Sequence, residues 1–415
     1  MAVDGSLSTR ALLSDRNFTR YLFARICATT ALQMQSVAVG WQVYALTGRY
    51  TDLGFIGLAG FIPFVSLILF AGQLADRMNR RVIIVCCYVV ECCAGLALMA
   101  FSLAGIRVVW PIFIVAAVFG VTRAFIMPTT QAMLPNLVPT ELFPRAIAIN
   151  SSTWQFSMIV GPMIAGLLFH FGTPVVYATI AGLSALALAL VLLMTYRQSF
   201  VESSDSTLHS LFEGLRFVRR RPVILGAISL DLVAVLFGGV TALLPAYARD
   251  VLHLGADGLG WLRSATGIGA ALMAASLAFS PISRRVGRWM FGGVAIYGLA
   301  TIVFGLSTHF LLSMFALIAL GAGDMVSVYV RQSLVQLETP DQIRGRVSAA
   351  SSVFIGASNE LGEFRSGLTA FGFGLVPSVV IGGLVTLAVT GLWVFIFPVL
   401  ARMNTFPRPQ QASTT

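Results

Sequence analysis

Long apolar runs, separated by short polar segments, make up most of the chain between residue 18 and residue 400. Each run is close to the roughly 20 apolar residues that a helix needs to cross a bilayer. The pattern predicts an all-α integral membrane protein with twelve transmembrane helices. They fall at Phe18–Leu46, Leu53–Ala71, Val82–Ala104 and Val109–Met133, then twice between Arg145 and Tyr196, and at 223–248, 259–280, 290–308, 311–337, 347–370 and 378–400.

Composition excludes an ordinary soluble domain. The mean hydropathy is +0.86 and 57% of residues are hydrophobic, whereas about half is usual for soluble proteins. The chain contains no lysine, so its basic charge comes from arginine alone. The absence of lysine excludes a Walker-type phosphate site and Schiff-base chemistry.

The arginines indicate the orientation in the membrane. Most of them lie in alternate inter-helix segments, and the opposite loops carry only Arg49, Arg107 and Arg249. Basic loops are retained on the cytoplasmic side, so both termini are predicted to be cytoplasmic. The net charge of +10 therefore reflects topology rather than a nucleic-acid partner.

The longest polar segment, residues 197–222, divides the chain into halves. Within it Leu211, Leu215 and Val218 recur at helical spacing, which predicts an amphipathic helix on the inner leaflet; a solvated linker is the alternative. The domains that follow are a cytoplasmic N-terminal tail (1–17, without a signal peptide), a six-helix bundle (18–196), the central segment (197–222), a second bundle (223–400) and a disordered cytoplasmic tail (401–415).

The charged turn Gly72–Arg81 carries the most specific motif. Its residues Gly72, Leu74, Asp76, Arg77, Arg80 and Arg81 resemble the signature G-x-L-a-D-r-x-G-r-k of the major facilitator superfamily. Asn79 replaces the second glycine, and Asn is the next-best residue for a left-handed turn. The resemblance implies two pseudo-symmetric six-helix bundles, and a gate in which Asp76 docks at the start of the eleventh helix, near Arg344–Arg346.

An internal duplication supports two related halves. Near the start of each half, Leu53-Gly54 matches Leu259-Gly260 at an offset of 206. Later positions match at an offset of 201. These are Gly120 with Gly321, Arg123 with Asp324, Gln131 with Gln332, Pro139 with Pro340, and Arg145 with Arg346. Parallel repeats of this kind build major facilitator transporters.

Four charges inside the predicted helices are candidate substrate or proton groups. Arg25 corresponds by position to Asp231, and Arg123 corresponds to Asp324. A charge in the hydrocarbon region costs at least about 2.5 kcal/mol, so it faces a cavity or a partner. We expect Arg123 and Asp324 to attract each other across a central cavity. The alternative is a set of ion pairs that only hold the halves together.

The fifth helix carries Ser157-x-x-x-Gly161-Pro162-x-x-Ala165-Gly166, which resembles the antiporter signature of the same superfamily. Its small residues allow close approach to a neighbouring helix, and its proline bends the helix. Arg123 matches the arginine of the superfamily's fourth-helix motif. Ile126 and Met127 replace the Gln-Gly of that motif, which weakens the implied proton relay.

The eleventh helix carries two carboxylates three residues apart, Glu360 and Glu363, and therefore on one face. Two close carboxylates in a low dielectric cannot both ionise cheaply, so one of them should hold a proton. Neutralisation by Arg365 is the structural alternative.

Four of the five cysteines flank Glu91, but Cys-Cys pairs lack metal-site spacing, so no metal or cofactor is expected. No H-E-x-x-H, G-x-S-x-G or nucleotide-binding motif is present, which argues against an enzyme.

The segments Leu211–Arg220 and Asn359–Glu363 resemble the branch that contains enterobactin and macrolide exporters. The resemblance implies a monomeric, proton-coupled exporter of a siderophore or drug-like molecule in a bacterial inner membrane. A lipid flippase, an uptake carrier and a non-transporting sensor or scaffold are the alternatives.

Overall fold

The computed structural model describes residue 12 and residues 14–105, 107–196 and 207–407. Every regular element in those ranges is helical, which confirms the all-α fold. In the described ranges the longer helices are α1 (Arg16–Thr47), α2 (Tyr50–Arg77), α3 (Arg80–Leu103), α4 (Trp110–Met133), α5 (Phe143–Leu168), α6 (Thr173–Leu192), α7 (Thr207–Arg220), α8 (Pro222–Gly238), α9 (Ala256–Phe279), α10 (Val286–Leu306), α11 (Phe310–Glu338), α12 (Asp341–Phe373) and α13 (Leu375–Ile396).

Ten of the described helices are long and apolar enough to cross a membrane. The amphipathic helix α7 is too short. Helices α1 and α12 have 32 and 33 residues, but their polar and charged side chains keep them outside this group. A multi-pass membrane protein is therefore confirmed, whereas the predicted number of twelve spans is not.

The charged turn is shorter than the sequence suggested. Helix α2 begins at Tyr50 and continues to Arg77, beyond both predicted ends at Leu53 and Ala71, so only Met78 and Asn79 separate α2 from α3. Asn79 has a φ of −63°, and its side chain accepts a 3.0 Å hydrogen bond from the Arg81 backbone N–H. The left-handed role expected for Asn79 is therefore wrong, because Asn79 is the N-cap of α3.

The predicted helix at 223–248 is interrupted. Helix α8 ends at Gly238, and short helical turns at Thr241–Leu243, Leu244–Ala246 and Tyr247–Val251 follow. The break has a capped end, because Arg365 donates a 2.7 Å hydrogen bond from Nη2 to the Phe237 carbonyl. A cation at the C-terminal end of a helix is stabilised by the helix dipole.

The chain forms two compact units. Unit 1 comprises residues 1–47, 59–204 and 256–260, and unit 2 comprises 48–58, 205–255 and 261–415. Each unit has its own apolar core, with Phe18, Ile84 and Met133 fully buried in unit 1 and Met290 and Val330 in unit 2. The domain boundaries given above stay predictions.

The duplication is visible in matched helix crossings. A Cβ on Gly120 of α4 would lie 2.0 Å from the Gly60 carbonyl oxygen of α2. A Cβ on Gly321 of α11 would lie 2.0 Å from the Thr266 carbonyl oxygen of α9. These pairs are related by the offsets of 206 and 201 that align the sequence. Both crossings therefore require glycine at the same position of the repeat.

A second pair of crossings obeys the same offsets. In unit 2, a Cβ on Gly367 of α12 would lie 3.0 Å from the Cα of Gly54. In unit 1, a Cβ on Gly166 of α5 would lie 3.1 Å from the Cα of Gly260. The small residues in these helices are therefore explained by close backbone contact.

Helix α7 packs on protein rather than only on the membrane surface. Its Val218 is buried in an apolar cluster with Val335 and Val347, and its Glu213 pairs with Arg346 of α12. The prediction of a helix is confirmed. Its buried face lies against α12, and the predicted position on the inner leaflet stays a prediction.

Residues 403–407 of the C-terminal segment pack against neighbouring helices. Met403 accepts a 3.0 Å backbone hydrogen bond from Gly287, and the Phe406 ring lies 6.4 Å from that of Tyr329. The predicted disorder after Arg402 does not hold for residues 403–407. Residues 408–415 lie outside the described part of the chain.

Candidate functional site

A buried ion pair joins α8 to α11 in unit 2. The Asp231 Oδ2 lies 3.5 Å from Nη2 of Arg331, and both side chains are at most 6% exposed. Asp231 Oδ1 accepts a 2.8 Å hydrogen bond from the Ser327 hydroxyl. Asp231 is therefore neutralised by a cation on a neighbouring helix of its own unit.

Asp324 lies beside this pair at the midpoint of α11, on the same helical face as Ser327 and Arg331. It lines a small cavity together with Asp231 and Tyr297. The charges of Asp231 and Arg331 reach Asp324 and act in opposite directions. Within the described part of the chain, Asp324 has no hydrogen bond and no ion pair.

The carboxylates of Glu360 and Glu363 on α12 lie close to Gly57 of α2, and all three residues belong to unit 2. A Cβ placed on Gly57 would lie 3.0 Å from Oε2 of Glu363 and 3.5 Å from Oε2 of Glu360. The charges of both carboxylates act on Arg263 of α9. The predicted convergence of Glu360 and Glu363 is therefore present, with Arg263 as an added cation.

The structure does not support the alternative in which Arg365 neutralises Glu360 and Glu363. Its Nη2 donates to the Phe237 carbonyl and lies 3.2 Å from the Ser366 hydroxyl, and its guanidinium lies 5.1 Å from the centre of the Phe237 ring. That interpretation of Arg365 is wrong, because the side chain caps the broken end of α8.

Arg25 lies in unit 1, where α1 meets α4. Its Nη1 donates a 3.0 Å hydrogen bond to the Thr130 hydroxyl, and Tyr21 donates a 3.0 Å hydrogen bond to the Thr130 carbonyl. The Nε of Arg25 is buried without an acceptor. In the part of the chain that the structure describes, no carboxylate pairs with Arg25.

Arg123 lies on α4 with its guanidinium 4.9 Å from the centre of the Phe64 ring of α2. Such a cation–π contact is worth about 0.5–2 kcal/mol. The adjacent Thr122 donates a 3.0 Å hydrogen bond to the buried carboxylate of Glu91 on α3. The attraction between Arg123 and Asp324 stays a prediction.

The α5 motif packs against α1. The Ser157 hydroxyl, fully buried, lies 2.7 Å from that of Thr29. A Cβ on Gly161 would lie 2.6 Å from the Cβ of Gln33. Pro162 is buried inside the same helix. The small residues of this motif therefore bring two backbones together, as the resemblance implied.

The motif between α2 and α3 ties helix ends together. Arg80 donates a 2.8 Å hydrogen bond to the Ala132 carbonyl at the end of α4, and Arg81 donates to the Val191 carbonyl of α6 at 3.1 Å. Gly72, Asp76 and Arg77 belong to the last turns of α2. The side chains of Asp76 and Arg344 lie outside the described part, so the gate stays a prediction.

Sequence reasoning missed Arg263, Tyr297 and Arg331. A signal for the two arginines was available, because each interrupts an apolar run. Among the described residues, no group of three His, Cys, Asp or Glu side chains is arranged to hold a metal ion, and the five cysteines are free thiols.

Comparison with known proteins identifies the family. Residues 21–362 match the family described as Major Facilitator Superfamily. The chain is 27% identical over 402 residues to the enterobactin exporter EntS of Escherichia coli O81 (strain ED1a), covering 90% of this chain and 92% of the relative.

Solved structures share the fold. A D-xylose–proton symporter superposes with a TM-score of 0.73 at 14% identity, covering 95% of this chain and 99% of that one. A transporter of the POT family in complex with 5-aminolevulinic acid superposes with a TM-score of 0.75 at 11% identity, covering 96% and 98%. The sequence match, the repeat and the helical membrane fold agree, and the chain belongs to the major facilitator superfamily.

Proposed function

We propose that this transporter is a proton-coupled exporter of a small amphipathic molecule, of the siderophore or drug-like class, which works by alternating access in a bacterial inner membrane. In this proposal the protein acts as a monomer with both termini in the cytoplasm. The similarity to an enterobactin exporter supports the direction and the class of solute. The similarity to a proton symporter concerns the fold alone.

The observation that carries proton coupling is the environment of Asp324. The neighbouring carboxylate, Asp231, is held by Arg331 at 3.5 Å, so that cation is already engaged. Asp324 lines the same cavity without an ion pair in the described chain. A carboxyl group in a low dielectric without a cation is most stable when it holds a proton. Binding and release of that proton would couple transport to the pH gradient.

The Glu360–Glu363 pair is the second candidate for the coupled proton. It differs from Asp324 because the arginine that reaches Asp324, Arg331, is already paired with Asp231, whereas the charge of Arg263 acts on both glutamates. A counter-charge favours ionised carboxylates. We therefore assign the proton to Asp324 and a role in organising α9 and α12 to the glutamates.

Everted membrane vesicles with an acidic interior test this function. Labelled enterobactin and labelled ethidium are offered in parallel, with vesicles from a deletion strain as the control. The proposal expects uptake of at least one solute that stops when a protonophore removes the gradient. A solute uptake rate that is the same with and without the pH gradient would contradict proton coupling. Absence of counterflow for a broad solute panel would favour a non-transporting sensor. Movement of a fluorescent phospholipid alone would favour a flippase.

A further inference from the structure

The repeat places Arg25 and Thr130 where the second half has Asp231 and Arg331. Arg25 and Asp231 are separated by 206 residues, and Thr130 and Arg331 by 201, the offsets that also relate the matched glycine crossings. The contacts correspond as well. Arg25 donates to Thr130 in unit 1, and Arg331 pairs with Asp231 in unit 2. The two halves therefore use one position of the fold with different charges.

The second half balances its charge at this position, whereas the first half does not. Asp231 and Arg331 together are neutral. Arg25 has a hydroxyl partner in place of a carboxylate, and Thr130 carries no charge. The Nε atoms of Arg25 and Arg331 are both buried without an acceptor, so the difference between the two halves is one of charge. One guanidinium in unit 1 therefore has hydrogen-bonding capacity and positive charge that the described chain does not satisfy.

The groups around Arg25 do not supply the missing charge. Among the described residues, the Arg25 charge acts on the titratable side chains of Tyr21 and Tyr88, and both are neutral phenols near pH 7. Glu91 lies on α3 near Tyr88, but its carboxylate accepts from Thr122 and the charge of Arg25 is not among the influences on it. No carboxylate in the described part of unit 1 pairs with this cation, so we consider an external anion as its partner.

We propose that Arg25 binds an anionic oxygen group, such as a carboxylate, phenolate or phosphate, and that this group belongs to the transported solute. The inference rests on the proposed transport function and adds a charge requirement to it. A planar guanidinium binds two oxygens of such a group at once, which gives geometric selectivity as well as attraction. The Arg25 residue is partly exposed. A lipid headgroup carries the same chemistry and is the other source to be tested.

The test compares salicylate with its neutral analogue salicylamide on the purified full-length protein. Wild-type protein should bind salicylate, measured by calorimetry and by a rise in the thermal midpoint of unfolding. Its affinity for salicylamide should be lower by a factor of about ten or more. Arg25→Gln should lose this preference, and Arg25→Lys should keep part of it. An unchanged preference in Arg25→Gln would overturn the proposal.

A second variant keeps the test decisive if Arg25→Gln fails to fold. Thr130→Asp supplies the carboxylate that the second half has, so it should raise the thermal midpoint and abolish the preference for salicylate. Thr130→Ser keeps the hydroxyl and should behave like wild type. Salicylate binding that survives in Thr130→Asp would overturn the assignment to Arg25.

Nanodiscs distinguish the two sources of the anion. Salicylate affinity is measured in phosphatidylcholine alone and in a mixture with anionic phosphatidylglycerol. Equal affinity in both supports a solute site. Loss of affinity when phosphatidylglycerol is present would overturn the solute assignment in favour of a lipid. Because no proton gradient is present, failure here leaves proton coupling by Asp324 untouched.

Discussion

The carboxylate of Asp231 and the guanidinium of Arg331 form a buried ion pair between α8 and α11, at a distance of 3.5 Å. Asp231 and Asp324 line the same cavity, but this pair gives their carboxylates different electrostatic surroundings. Asp231 is compensated, whereas Asp324 has no ion pair in the described chain. This difference is the physical basis for assigning the proton to one of them.

Arg331→Gln should destabilise the protein by about 3–5 kcal/mol, because it leaves the buried Asp231 charge without its cation. Asp231→Asn alone should cost a similar amount. The double variant should recover most of the loss, since neither charge remains. Thermal unfolding in detergent measures the cycle, and effects that simply add within about 0.5 kcal/mol would contradict the pairing.

Gly321→Ala should destabilise the protein by about 1–3 kcal/mol through overpacking, because its Cβ would lie 2.0 Å from the Thr266 carbonyl oxygen. Gly292→Ala is the matched control. It is also helical, and a Cβ there meets nothing within 4 Å. The control should be neutral or should gain up to about 1 kcal/mol from helix propensity. Equal thermal midpoints for the two variants would contradict the crossing.

Arg263→Gln should lower stability by about 1–3 kcal/mol, because it leaves Glu360 and Glu363 without their nearby cation. Adding Glu363→Gln should restore much of that loss. Thermal unfolding and gradient-free exchange are measured together. If the double variant is no more stable than Arg263→Gln alone, the glutamates do not depend on this arginine.

Asp76→Asn should abolish transport while the protein remains folded in the membrane, since only a charge is removed from the family motif. Asp52→Asn, in the first turn of the same helix, should transport normally. Transport in proteoliposomes and chromatographic profiles in detergent are the two measurements. Normal rates with Asp76→Asn would remove the gating role implied by the resemblance.

The fold and much of the candidate site follow from periodicity and from the repeat. Apolar runs of membrane length predict the spans, and the offsets of 201 and 206 predict which glycines occupy equivalent crossings. Helix ends are less predictable. The predicted end of the second helix at Ala71 and the continuity of 223–248 were both wrong, because tertiary contacts such as that of Arg365 with Phe237 decide where a helix ends.

Charge partners are harder to predict than charged positions. The sequence indicates that Asp231, Glu360 and Glu363 are candidate functional groups, since each is a charge in a predicted transmembrane helix. It does not indicate that Arg331 and Arg263 lie beside them, because helix rotation and packing set those distances. For Arg365 the sequence suggested a wrong partner. Arg365 is close to Glu360 and Glu363 in the sequence of α12, but its side chain bonds to the Phe237 carbonyl.

Transport by Asp324→Asn in proteoliposomes tests the central claim most directly. Two rates are measured on one preparation, solute exchange without a gradient and net solute movement driven by an imposed pH gradient, with Asp250→Asn as the exposed control. If Asp324 carries the coupled proton, the variant exchanges solute but gains nothing from the gradient, while the control does both. A variant that still responds fully to the gradient would contradict the account.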